Sequence, residues 1–209
     1  MKHYLPVILL SLLLFPGFNS LHGQVNEQDS LALVALYNAT GGDRWAAIWG
    51  WPREQNSPIS TWSGITTEEI EGEGLRVTRI ELHSRWMTGQ LPEELGDITY
   101  LRKIKLIDNK ISGPIPDSFR YLKHLEDLSL TDNEFSGPLP GFISELHKLE
   151  IIGFGMNQFT GTLPASWAKK ENLRELYLQS NQLHGELPAP WGELKSLESL
   201  YLNSNHFTR

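Results

Sequence analysis

The sequence predicts an α/β solenoid with a concave parallel β-sheet and an N-terminal helical cap, and three observations predict it. Leucines stand at positions 101, 125, 149, 173 and 197, a period of 24 residues. Five successive copies carry a glycine followed three residues later by a proline: Gly89 and Pro92, Gly113 and Pro116, Gly137 and Pro140, Gly161 and Pro164, Gly185 and Pro188. Ahead of them, "NEQDSLALVALYNATGGDRW" has apolar residues at helical spacing and ends in a glycine pair.

In the 24-residue register the segments read "LRKIKLIDNKISGPIPDSFRYLKH", "LEDLSLTDNEFSGPLPGFISELHK", "LEIIGFGMNQFTGTLPASWAKKEN" and "LRELYLQSNQLHGELPAPWGELKS". An earlier copy, "VTRIELHSRWMTGQLPEELGDITY", starts at Val77, and a partial one, "LESLYLNSNHFTR", stops at Arg209. Each begins with L-x-x-L-x-L-x-x-N-x-L or a close variant. A short strand there would pair with the strand of the next repeat and turn its fourth and sixth positions inward. These are Ile80 and Leu82, Ile104 and Leu106, Leu128 and Leu130, Ile152 and Phe154, Leu176 and Leu178, Leu200 and Leu202. No repeat buries them alone, so stacking supplies the core.

Asn109, Asn133, Asn157, Asn181 and Asn205 fall in the turn after the strand, where an amide can serve both backbone donors and acceptors. Losing one such partner costs about 1–3 kcal/mol. Arg85 takes that place in the first copy, so the ladder is expected to begin irregularly. Proline fixes φ and donates nothing, so the segments at Pro92, Pro116 and their successors are expected to run extended rather than helical. Leu95, Phe119, Ile143, Trp167 and Trp191 then refill the convex side. Lys170 stands where Ile98, Leu122, Leu146 and Leu194 are apolar, which is expected to loosen the fourth repeat.

Over residues 77–209 these motifs resemble the plant-type subclass of leucine-rich-repeat proteins, whose consensus continues through G-x-[IL]-P. The phrase "ISTWSGITTE" is similar to the W-x-G-[IV] closing segment of the plant-type cap, without its flanking cysteines. "ALVALYNATGGDRW" with "TWSGI" resembles the cysteine-free cap of secreted bacterial members. Trp45, Trp49, Trp51 and Trp62 read as a hydrophobic lid over the first repeat, and Asp29 or Ser30 as the start of an amphipathic helix with Leu31, Val34, Ala35 and Asn38 at helical spacing.

Composition narrows the function. A formal charge of −7 disfavours nucleic acid, and the absence of cysteine excludes disulfides, thiol chemistry and cysteine-based zinc sites. "MKHYLPVILLSLLLFPGFNSLHGQ" reads as a secretory signal: Lys2 leads an apolar run from Val7 to Phe15 that is too short to span a bilayer. The expected organisation is a signal peptide over 1–23, a cap over 24–76, and repeats over 77–209. The repeats comprise five full copies and one partial copy, with a C-terminus expected to be truncated. The chain is expected at a bacterial envelope or outside the cell, secreted or on the surface, with no transmembrane span once the signal is removed. The partial last copy leaves Leu197, Leu200, Leu202 and Phe207 as an edge open to end-to-end contact. Asn38-Ala39-Thr40 is a glycosylation sequon.

No H-E-x-x-H, G-x-S-x-G or Walker loop is present, and His83, His124, His147, His184 and His206 fall at different repeat positions. No enzyme activity, metal or cofactor is expected. "EEIEGEG" is read as a solvated loop. Thr88, Ser112, Ser136, Thr160 and Thr208 form a hydroxyl column interrupted by His184, read as backbone-bonding. An ice-binding or structural role is the lesser alternative.

Recognition is instead expected on the concave strands, at the third, fifth and seventh repeat positions. The candidate residues are Arg79, Lys103, Lys105, Asp127, Gly153, Gly155, Glu175, Tyr177 and Tyr201. They run from a basic end that includes Arg102 to a tyrosine pair, with Gly153 and Gly155 leaving a shallow step between. The resemblance implies a non-catalytic module that binds protein, peptide or glycan through this face. A second reading makes the solenoid the targeting part of a larger surface enzyme or adhesin.

Overall fold

A computed structural model describes residues 25–49, 51 and 58–208; the expected signal segment over 1–23 lies outside them. Each repeat contributes one strand to a concave sheet. β2 (Gly74–Glu81), β4 (Lys103–Lys105), β6 (Asp127–Ser129), β8 (Ile151–Gly153), β10 (Glu175–Tyr177) and β12 (Ser199–Tyr201) pair in that order and in parallel. Partners are one period apart, as in Ile80 with Ile104 and Ile104 with Leu128. β1 (Ile65–Ile70) pairs antiparallel with β2 and occupies the N-terminal edge of this sheet. The alternation turns Ile80, Leu82, Ile104, Leu106, Leu128, Leu130, Ile152, Phe154, Leu176 and Leu178 into a fully buried core. Leu200 differs: it is 40% exposed, because β12 is an edge strand among the described residues.

A second parallel sheet follows the turn: β3 (Thr88–Gln90), β5 (Lys110–Gly113), β7 (Glu134–Pro138), β9 (Gln158–Gly161), β11 (Gln182–Gly185) and β13 (His206–Phe207). The expected extended conformation reaches only as far as each proline. Pro92, Pro116, Pro140, Pro164 and Pro188 have extended ψ, and directly behind each lies a 3-10 turn, from Glu93–Asp97 through Ala189–Glu193. Proline's fixed φ and missing N–H suit the entry to a turn, where a donor would be orphaned anyway. These turns bury Leu95, Phe119, Ile143, Trp167 and Trp191. The last two stack at 6.1 Å and 4°, and their indole N–H groups donate to Pro140 O and Pro164 O, each at 3.1 Å.

The asparagine ladder joins each repeat to the one before it. Asn133 Oδ1 accepts from Ile111 N at 3.1 Å, while its Nδ2 donates to Leu106 O at 2.8 Å and Leu130 O at 3.1 Å. Asn109 does the same for the first copy, accepting from Arg85 N and Met87 N. The first copy thus needs no asparagine of its own. Its irregularity lies elsewhere: Ser84 and Trp86 both have positive φ, where later copies have one such residue. Nor is the fourth repeat opened by Lys170, which is 1% exposed.

In the cap, α1 (Glu27–Ala39) starts one turn earlier than Asp29 or Ser30 suggests. Asn26 Oδ1 accepts from Gln28 N at 2.9 Å and caps it. Asp29 is instead fully buried, accepting from Arg76 Nε at 3.0 Å, Arg76 Nη2 at 2.7 Å and Val77 N at 2.8 Å. It ties the helix to β2. The buried face is therefore Asp29, Ala32, Leu33 and Leu36, while Leu31 and Asn38 are exposed. Gly41 ends α1 at φ +72°, and α2 (Gly42–Trp49) follows at once. Gly89 lets the cap dock: at φ +87° it faces Ala39 O so closely that a Cβ would overlap it. Trp45 and Trp51 are buried in the core continuous with the repeats, with ring centroids 4.8 Å apart. Trp62 is partly buried, 4.7 Å from Trp51; the Trp49 side chain lies outside the described residues.

Candidate functional site on the concave sheet

Because successive side chains on a strand alternate, the core-facing residues leave the third and fifth repeat positions pointing off the sheet. One column is Arg79, Lys103, Asp127, Ile151, Glu175 and Ser199; the next is Glu81, Lys105, Ser129, Gly153, Tyr177 and Tyr201. Strand spacing of about 4.8 Å brings neighbours within each column into contact range.

Ion pairing reshapes the basic end. Lys105 Nζ lies 2.9 Å from Asp127 Oδ2, and Ser129 Oγ donates to Asp127 Oδ1 at 2.5 Å. Asp127 is 2% exposed, so this triad satisfies itself rather than presenting charge. Arg102, the other expected cation, lies 3.2 Å from Glu68 on β1, an acid of the run read as a solvated loop. Arg79 and Lys103 remain: half-buried, adjacent in the sheet, and without an acidic partner among the described residues. Arg79 Nε is also buried without a hydrogen bond.

At the other end, Tyr177 and Tyr201 stack at 5.1 Å and 19°. Tyr177 OH donates to Glu175 Oε2 at 2.8 Å, which fixes the inner ring. That hydrogen bond, with burial, holds the phenol above its ordinary pKa. Tyr201 is 50% exposed and presents a wide aromatic surface.

The expected shallow step is not open. Gly153 and Gly155 are both buried. A Cβ on Gly153 would come 3.1 Å from Thr131 Oγ1 and 3.3 Å from the Ser129 Cα. Gly155 is covered by the Gln179 side chain, whose amide occupies the space a Cβ would need, with Oε1 buried and unbonded. The two glycines thus serve close packing on the sheet. Sequence reasoning left Ser129 and Gln179 out of the site, although both stand in the columns that supplied it.

Among the described residues no group of three or more His, Cys, Asp or Glu could hold a metal ion, and no helix is long and apolar enough to cross a membrane. In the second sheet, Ser112 Oγ donates to Gly89 O at 3.1 Å, so this member of the hydroxyl column is engaged by backbone.

Family models of leucine-rich repeats match residues 100–122, 124–146 and 171–209. No curated protein matches the sequence. Among solved structures, the ectodomain of the receptor kinase SOBIR1 from Arabidopsis thaliana is similar at 26% identity and a TM-score of 0.75, covering 88% of this chain and 96% of that one. A plant ice-binding protein is similar at 27% identity and a TM-score of 0.78, over 88% of this chain and 58% of that one. The ectodomain of the Arabidopsis receptor kinase HAESA, solved with a peptide hormone ligand, is similar at 25% identity and a TM-score of 0.75, over 87% of this chain and 29% of that one. The fold is a leucine-rich-repeat solenoid of the plant type, and its structural neighbours include a receptor ectodomain solved with a peptide hormone ligand.

Proposed function

We propose that this leucine-rich-repeat solenoid is a non-catalytic recognition module, secreted or held at a cell surface, that captures a peptide or protein segment across its concave sheet. The observation that carries this reading is the pairing of two kinds of exposed chemistry on one rigid sheet. Arg79 and Lys103 offer unpaired positive charge, and the Tyr177–Tyr201 stack offers aromatic surface at low entropy cost. The similar HAESA ectodomain, solved with a peptide hormone ligand, supports a peptide as the partner class. The cap closes the N-terminal end of the core, which keeps the sheet stiff enough to present both patches in register.

Capture from native extracellular material tests it. Protein carrying both Tyr177→Ala and Tyr201→Ala should retain its fold and lose its partner at least tenfold. Undiminished capture would remove the tyrosines from the site. The likeness to a plant ice-binding protein supports a second reading, in which the second sheet meets ice. Thermal hysteresis that falls in a Thr160→Ala variant would favour it over concave recognition.

A further inference from the structure

Resting on the concave reading, we infer that the partner is an extended peptide whose acidic group and aromatic side chain lie four to five residues apart. The spacing comes from the sheet itself. In the order β4, β6, β8, β10, Lys103 and the strand carrying Tyr177 are three intervals apart. At about 4.8 Å per interval the near edges of the two patches, Lys103 and Tyr177, stand about 14 Å apart. A polypeptide rises about 3.1–3.4 Å per residue when extended, so four to five residues bridge that gap.

The chemistry at each end is one-sided. Arg79 and Lys103 form no ion pair among the described residues, because Asp127, which stands opposite Lys103, is held by Lys105 and Ser129. A carboxylate supplies what both lack, and a chain of net charge −7 offers it few other cationic sites left unpaired on this sheet. At the far end the exposed Tyr201 ring and its stacked partner Tyr177 favour a flat apolar group. Glu175 beside them, bonded to Tyr177, disfavours an acid there. Between the ends, Lys105, Asp127 and Ser129 satisfy one another and Gly153 presents no side chain. The middle of the ligand therefore meets a closed stretch of sheet with no unpaired charge.

Synthetic peptides of the form Glu-Glu-(Pro)n-Trp, immobilised for interferometry, act as a ruler, because polyproline is stiff and rises about 3.1 Å per residue. With n = 4 the acid and the ring span the two patches; n = 1 falls short and n = 9 overshoots. The expected result is at least tenfold tighter binding at n = 4 than at either other length. A Lys103→Glu variant, checked for fold by circular dichroism, should abolish that preference. Equal binding at all lengths that is lost in the Tyr177→Ala, Tyr201→Ala protein overturns the spacing and leaves concave recognition standing. Equal binding that survives in that variant overturns both. No binding at any length overturns the spacing rule.

Discussion

Replacing Lys170 with leucine should stabilise the protein by about 3 kcal/mol at neutral pH. Lys170 follows the 3-10 turn Ala165–Lys169, at the position where Ile98, Leu122, Leu146 and Leu194 fill the core of the other repeats. It is 1% exposed and its Nζ has no hydrogen-bond partner. Burial pushes the amine down from 10.5 to about 8. Each tenfold change in the protonation equilibrium is worth 1.36 kcal/mol, so holding the charged form in that site costs about 3 kcal/mol below pH 8. Leucine is isosteric with the residues already in the column and carries no such penalty. For a chain of this size the gain corresponds to a rise in Tm of about 6–12 °C. The pH signature separates this cause from simple packing. The folded-state value lies below the unfolded one, so the unfolded chain binds more protons between about pH 8 and 10.5. Wild-type stability should therefore rise across that window relative to the leucine variant, and the difference between them should shrink. Urea unfolding of both proteins at pH 7 and pH 10 reads it directly. A leucine variant no more stable than wild type at pH 7, or a difference that does not depend on pH, refutes the reasoning.

Three further perturbations probe the architecture. Asn157→Ala removes an amide that accepts from Phe135 N and donates to Leu130 O, Phe154 O and Gly155 O, and should cost about 3 kcal/mol by urea unfolding. Asp29→Ala removes the two-point partner of the buried Arg76 guanidinium, leaving it Glu73 alone, and should cost about 3 kcal/mol, with raised hydrogen exchange in α1 ahead of the repeats. Gly89→Ala forces a side chain into a positive-φ position against Ala39 O; limited proteolysis should then release the cap while the repeats stay intact.

The period of the repeat was legible in the sequence because stacking forces the same inward residues to recur every 24 positions, and the buried column from Ile80 to Leu178 follows from it. The second sheet was less legible. Its strands are built from residues such as Lys110–Gly113, whose glycine and small polar residues carry no strand signature of their own, and pairing between repeats alone orders them. Helix α1 misled at its start because Asp29 looks like a cap, whereas its carboxylate is committed to Arg76, 47 residues away. The candidate site failed in part for a similar reason. Lys105 and Arg102 read as free cations until the sheet places Asp127 and Glu68 beside them. Gly153 and Gly155 read as open space, because absence of a side chain at one position does not show where a neighbour such as Gln179 will lean.

Hydroxyl-radical footprinting of the protein with and without its captured partner addresses concave recognition most directly, since it reports on side chains that are exposed in the free molecule. Tyr201 is 50% exposed on the concave sheet, while Trp86 and Tyr121, at 62% and 61%, lie off the columns that form the site. Concave recognition predicts that the partner protects Tyr201 and leaves Trp86 and Tyr121 oxidised as before. Protection of Tyr121 or Trp86 with Tyr201 unchanged would contradict it.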